Sequence, residues 1–127
     1  MSMIKRLPDS EFEIMEIIWG EEPPMTTLQI MKKLEPIRKI KMQTLLTMLI
    51  RLIEKGFLTS DRVGRERNYT PLISKQDYMR VEIKSFAARH YINSVGNLVE
   101  AFYDGLELSQ EDVKELTTWL AERGLRE

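Results

Sequence analysis

The stretch from Lys39 to Leu72 constrains the fold more than any other part of the chain. Leu45, Met48, Leu49, Leu52 and Ile53 recur at three- and four-residue steps, which buries one side of a helix. Gln43, Thr44, Thr47 and Arg51 fall on the other side. Gly56, directly after Glu54-Lys55, supplies the left-handed residue that closes a helix, and Phe57 opens a short apolar run that reads as a strand. Val63-Gly64-Arg65-Glu66 then reads as the tip of a tight hairpin carrying Arg62, Arg65 and Arg67. A polar-faced helix backed by a basic hairpin is the layout of a winged helix, with the helix suited to a DNA major groove and the hairpin to the backbone beside it.

The flanking sequence completes that unit. Asp9 after Pro8 predicts an N-cap, with Glu11 and Glu13 in the first turn and Phe12, Met15, Ile18 and Trp19 as the buried stripe of a helix that Gly20 stops. Glu21-Glu22-Pro23-Pro24 reads as a connector. Thr26 followed by Gln29 predicts a capping box for a second helix through Leu34, with Leu28, Met31 and Leu34 inward, and Pro36 ends it. The second and third helices then form a helix-turn-helix pair. Beyond the hairpin, Ser74 with Asp77, and Ile73 with Tyr78, predict the cap and the apolar staple of a long helix. Its rhythm continues through Ile83, Phe86, Ala87, Tyr91, Val95, Leu98 and Phe102, with Asn93 and Gly96 as points of weakness. Ser109 and Asp112 repeat the cap before a last stripe of Val113, Leu116, Trp119 and Leu120, closed by Gly124.

The expected fold is therefore mainly α with a small β-hairpin: a winged helix-turn-helix domain over residues 1–73 and a C-terminal helical dimerisation region over residues 74–127. Two helices offer one layer, whereas a stable core needs two, so a second copy of the chain is expected to cover Ile83, Phe86, Tyr91, Val95, Leu98, Phe102, Val113, Leu116, Trp119 and Leu120. A symmetric homodimer would also present two reading helices to the halves of a pseudo-palindromic site.

Composition bounds the function. The chain has no cysteine and one histidine, His90, so neither a disulfide framework nor a thiolate metal site is expected, and no cofactor. No apolar run approaches a membrane span and Met1 to Leu7 is not a signal peptide, which predicts a cytoplasmic protein without membrane insertion. The formal net charge of −1 hides an asymmetry. Nine bases lie between Ile37 and Lys75 against Glu54, Asp61 and Glu66, while acids prevail after Gln76. This suits a polyanion-binding lobe joined to a non-binding one, though small surfaces also cluster charge by chance. The methionines, Trp19 and Trp119 read as core residues, and no nucleophile–base pair, carboxylate dyad or glycine-rich phosphate loop points to an enzyme.

Five segments, Ile17-Ile18-Trp19, Gln43-Thr44 through Arg51-Leu52, Glu54-Lys55-Gly56-Phe57-Leu58, Asn68-Tyr69 and Leu98-Val99-Glu100-Ala101-Phe102, give the chain a resemblance over nearly its whole length. It resembles the penicillinase-repressor family, which holds repressors of β-lactamase and methicillin-resistance genes and a copper-responsive branch. The resemblance implies a dimeric winged-helix repressor that occupies an operator until inactivated, in one branch by cleavage under a membrane-bound sensor protease. The bond cleaved in that branch joins Asn to Phe, and the matching pair here is Ala101-Phe102. Lys41 stands where relatives often place a Ser or Thr cap, and Leu46 where some place a base. The copper branch ends in paired cysteines, which are missing.

The residues expected to meet duplex DNA are Lys39, Lys41, Gln43, Thr44, Thr47, Arg51, Arg62, Arg65 and Arg67. Gln can bridge adenine and the Thr methyl can meet thymine, whereas the wing arginines suit phosphates. Arg51 either holds a phosphate or pairs with an acid of its own domain. Two other readings stay open, a winged-helix module for protein–protein contact and a repressor controlled by a small ligand.

Overall fold

Pro8 starts the first helix. It is extended (φ −60°, ψ 154°), and its carbonyl accepts from the amides of Glu11 (3.1 Å) and Phe12 (2.9 Å), so that α1 spans Asp9–Trp19 in the computed structural model. Asp9 thus lies inside the helix instead of capping it. No side chain caps this end, and Asp9 and Glu11 face the positive end of the helix dipole. The structure describes residues 4–90, 94, 96–97, 99–100 and 108–124.

Helix α2, Thr27–Leu34, begins at the expected capping box: Thr26 Oγ1 accepts from the Gln29 amide (3.1 Å) and Gln29 Oε1 accepts from the Thr26 amide (2.9 Å). Ile30 and Leu34, one turn apart, enter the core. Leu28, expected inward, lies two positions before Ile30 on the opposite side and is 64% exposed. Thr26 also ends a two-residue strand β1, Met25–Thr26, too short for its sequence to show a period.

Helix α3, Met42–Glu54, buries Leu45, Met48, Leu49 and Leu52 as expected, with Ile53 half-buried against the same core. Its end is a Schellman turn. Gly56 takes φ 83°, the Gly56 amide donates to the Ile53 carbonyl (3.0 Å), and the Phe57 amide reaches the Leu52 carbonyl (2.9 Å). Phe57 and Leu52, the apolar pair of that motif, are both fully buried. The chain leaves as β2, Leu58–Val63, turns at Gly64 (φ 65°) and Arg65, and returns as β3, Glu66–Pro71. The antiparallel sheet has the order β1-β3-β2, with Met25 opposite Tyr69 and Ser60 opposite Tyr69 from the other side.

Helix α4, Lys75–Arg89, starts at Ser74, whose Oγ accepts from the Asp77 amide (3.0 Å). Tyr78 is fully buried and is the hub of an aromatic cluster, with Phe12 stacked at 5.6 Å, Trp19 at 5.8 Å and Phe57 edge-on at 5.5 Å. Its hydroxyl accepts from the Leu7 amide (2.8 Å) and donates to Glu82 Oε1 (2.6 Å), and Arg6 pairs with the same carboxylate at 3.4 Å. Trp19 Nε1 donates to the Ile73 carbonyl (2.9 Å). These bonds hold the start of α4 in the first compact unit, which runs to Ser85; the second unit is Phe86–Glu127.

In the second unit, α5 spans Gln110–Glu122 behind a capping box of Ser109 and Asp112, and Gly124 follows it with φ 64°. Trp119, expected in a core, is 44% exposed in the single chain, with the Arg123 guanidinium 4.2 Å from its ring centre. Helix α4 stops at Arg89, short of the Phe102 expected from its apolar rhythm, and Ser94 beyond it is non-helical, its Oγ accepting from the Asn97 amide (3.3 Å). Tyr91, Val95, Leu98 and Phe102 lie outside the described residues, as does Ala101.

Candidate nucleic-acid interface

Ion pairing sorts the basic residues of the central stretch. Glu11, 4% exposed, accepts from Lys55 Nζ at 2.5 Å and so ties α1 to the end of α3. Arg38 donates from Nε to Glu13 (2.8 Å) and Lys75 pairs with Glu16 (2.8 Å). The hydrogen bond to Glu13 and the charge of its carboxylate raise the Arg38 guanidinium above its ordinary value. Acids on α1 thus occupy Arg38, Lys55 and Lys75, three of the nine central bases. Lys39, Lys41, Arg51, Arg62 and Arg65 are exposed and have no acidic partner among the described residues. Arg67 is exposed and donates from Nη1 to Ser60 Oγ (3.0 Å). The cations left over are the six named from sequence.

Helix α3 arrays the uncharged candidates. Gln43, Thr44, Thr47 and Arg51 are all exposed, and at 100° per residue they share a sector of roughly 100°. Lys41 is the N-cap residue, and its ammonium, a donor with no acceptor atom, makes no capping bond to the helix amides. Thr47 Oγ1 donates to the Gln43 carbonyl (3.0 Å), so its hydroxyl proton is committed to the helix, and outward it offers a methyl group and an acceptor. Ile50, not singled out by the sequence pattern, is 55% exposed at the edge of this sector, about 20° beyond Gln43. The signal was available: Ile50 lies one turn beyond Thr47 and two beyond Gln43, but apolar periodicity scores only the buried face.

The wing places its arginines through strand register. Arg62 is directly opposite Arg67, on the face shared by Ser60, Tyr69 and Leu58, because alternate strand residues point the same way. The core holds Leu58 and Tyr69 at the base of this face, so Arg62 and Arg67 continue it beyond the core. Arg65 sits in the two-residue turn between Val63 and Glu66. Like charges directly opposed on a ladder repel. Ser60, absent from the candidates, takes one guanidinium by hydrogen bond.

Of the apolar residues expected at a dimer interface, Ile83, Phe86, Val113, Leu116, Trp119 and Leu120 are between 38% and 52% exposed in the single chain. Tyr91, Val95, Leu98 and Phe102 lie outside the described residues, as does the bond between Ala101 and Phe102. No helix among the described residues is long and apolar enough to cross a membrane.

Comparison with known proteins finds relatives in sequence and in fold. The chain is 35% identical to the penicillinase repressor of Bacillus licheniformis over 96% of its own length and 94% of that relative's. It is similar to the solution structure of the DNA binding domain of the repressor BlaI, with 37% identity and a TM-score of 0.54 over 61% of this chain and 94% of that one. A similar likeness, TM-score 0.52 and 37% identity over the same shares, holds for the solution structure of monomeric Bacillus licheniformis BlaI in complex with the blaP half-operator. The sequence profile of the penicillinase repressors matches residues 7–122, nearly the whole chain. With its winged-helix fold and near full-length match, the chain belongs to the penicillinase repressor family.

Proposed function

We propose that this chain is a transcriptional repressor that binds duplex DNA as a homodimer. Helix α3 lies in the major groove, with Gln43, Thr44 and Thr47 at base edges. Lys39, Lys41 and Arg51 hold flanking phosphates, and Arg62, Arg65 and Arg67 hold the backbone beside the groove. One observation carries this reading: of the nine bases between Ile37 and Lys75, α1 pairs three, and the six left without an acidic partner among the described residues lie on or just before α3 or on the wing. The likeness to a repressor domain solved on half-operator DNA supports it.

Dimerisation is assigned to the helices after residue 74. The half-exposed stripe of Val113, Leu116, Trp119 and Leu120 on α5 supports this, since much of its apolar area remains open to solvent in the single chain. Two copies related by a two-fold axis suit a pseudo-palindromic operator. Release of the operator follows an inducing signal, with proteolysis at Ala101-Phe102 under a membrane-bound sensor protease as the route that the family resemblance suggests. The protein acts in the cytoplasm, where its DNA is.

An electrophoretic shift with the DNA upstream of its own gene, against a scrambled duplex, tests the reading. A retarded complex that survives scrambled competitor, and that weakens steeply with added salt because phosphate contacts release counterions, is expected. A stable monomer by sedimentation equilibrium would refute the dimer. Equal affinity for both duplexes would refute the repressor.

A further inference from the structure

We propose that Ile50 is a specificity-determining residue that reads a thymine 5-methyl group in the major groove. The assignment rests on the repressor reading above and adds a residue that the sequence candidates lacked. Every other large apolar residue of α3 is buried or half-buried, whereas Ile50 is 55% exposed. Its side chain gains little from the fold, and a β-branched residue gives a helix no advantage in propensity over Leu or Ala.

Its position supplies the partner. Ile50 lies beside Gln43 and Thr47 on α3, next in sequence to Arg51, with Lys39 and Lys41, which have no acidic partner among the described residues, before the helix. A helix held to phosphates by those cations brings this sector against base edges. There the apolar group on offer is the C5 methyl of thymine; the other groups are hydrogen-bond donors and acceptors. Thr47 reinforces the same chemistry, since its hydroxyl proton is spent on the Gln43 carbonyl at 3.0 Å. Thr47 and Ile50 together form a short apolar strip between Gln43 and Arg51, suited to an A·T pair and unsuited to the cytosine amino group.

The test uses the full chain and a duplex that the protein itself enriches from a random pool. Each thymine of one half-site is replaced in turn by deoxyuridine, which lacks only the methyl group. Wild-type protein is expected to lose roughly four-fold in affinity at one such position, the equivalent of burying one methyl group. Ile50→Ala is expected to bind the thymine duplex about as weakly as wild type binds the deoxyuridine one, and to lose nothing further on the exchange. Ile50→Val is expected to keep the discrimination. Unchanged circular dichroism and melting temperature show that the variants are folded. Discrimination that persists at every position in Ile50→Ala would overturn this inference alone. Failure to enrich any duplex would overturn the repressor reading and this inference with it.

Discussion

Replacing Tyr78 with Phe removes one oxygen atom from the centre of the first unit and leaves the ring that packs on Phe12, Trp19 and Phe57. That oxygen accepts from the amide of Leu7, itself only 4% exposed, at 2.8 Å, and donates to Glu82 at 2.6 Å. A buried amide left unpaired costs about 1–3 kcal/mol. The second bond adds less, because the Glu82 side chain is 26% exposed and keeps Arg6. The expected loss is about 2 kcal/mol by urea denaturation, with an unchanged m-value and faster hydrogen exchange at Leu7. Burial and the bond to Glu82 push the Tyr78 hydroxyl up to about 12 from 10.0. Since the folded state holds this proton more tightly, the stabilisation is complete below pH 10 and is lost as pH rises towards 12. The difference between wild type and Tyr78→Phe should therefore be constant below pH 10 and shrink above it. A loss under about 0.5 kcal/mol with Leu7 still protected, or a difference that grows with pH, would refute the network described for this hydroxyl.

Gly56→Ala should cost about 1–2 kcal/mol from the left-handed backbone alone, because φ is 83° and a Cβ there meets nothing within 4 Å; thermal unfolding checks it, and Gly56→Asn should cost less. Lys55→Ala strands the carboxylate of Glu11, and with Lys55 partly in solvent the loss should be about 2 kcal/mol in urea, below the range for fully buried pairs. The double variant Glu11→Leu with Lys55→Met should recover most of that stability. Arg62→Thr relieves the repulsion across the ladder from Arg67, so it should slightly stabilise the free protein. On DNA it should reduce the slope of log affinity against log salt by about one, measured by fluorescence anisotropy.

Much of the fold was legible because its signals are local. The box at Thr26 and Gln29, the caps at Ser74 and Ser109, and the left-handed Gly56 each act within four residues, and each appears as expected. The errors came where the deciding partner is distant in sequence or the element is too short to show a period. Leu28 follows the same three-residue rhythm as Met31 and Leu34, but the core takes Ile30 and Leu34. Strand β1 exists only because Tyr69 and Asn68 lie beside it. Tyr78 was legible as a staple to Ile73 but not as the hub that holds Leu7 and Glu82.

The candidate site divides in the same way. Helical period alone separates Gln43, Thr44, Thr47 and Arg51 from the buried side of α3, but no local rule tells which bases are already spent. Arg38, Lys55 and Lys75 look like Lys39, Lys41 and Arg51 in sequence, and only the packing of α1 removes them, through Glu13, Glu11 and Glu16. Strand register has the opposite effect at the wing, where it sets Arg62 against Arg67 with one hydrogen bond to Ser60 as relief. A fold that neutralises the central cations beside its first helix and leaves opposed arginines at its hairpin tip keeps the rest of the central positive charge where an anion would stabilise it. In the proposed interface the available charge is therefore set by tertiary pairing, so that a chain of net charge −1 still carries a locally basic face.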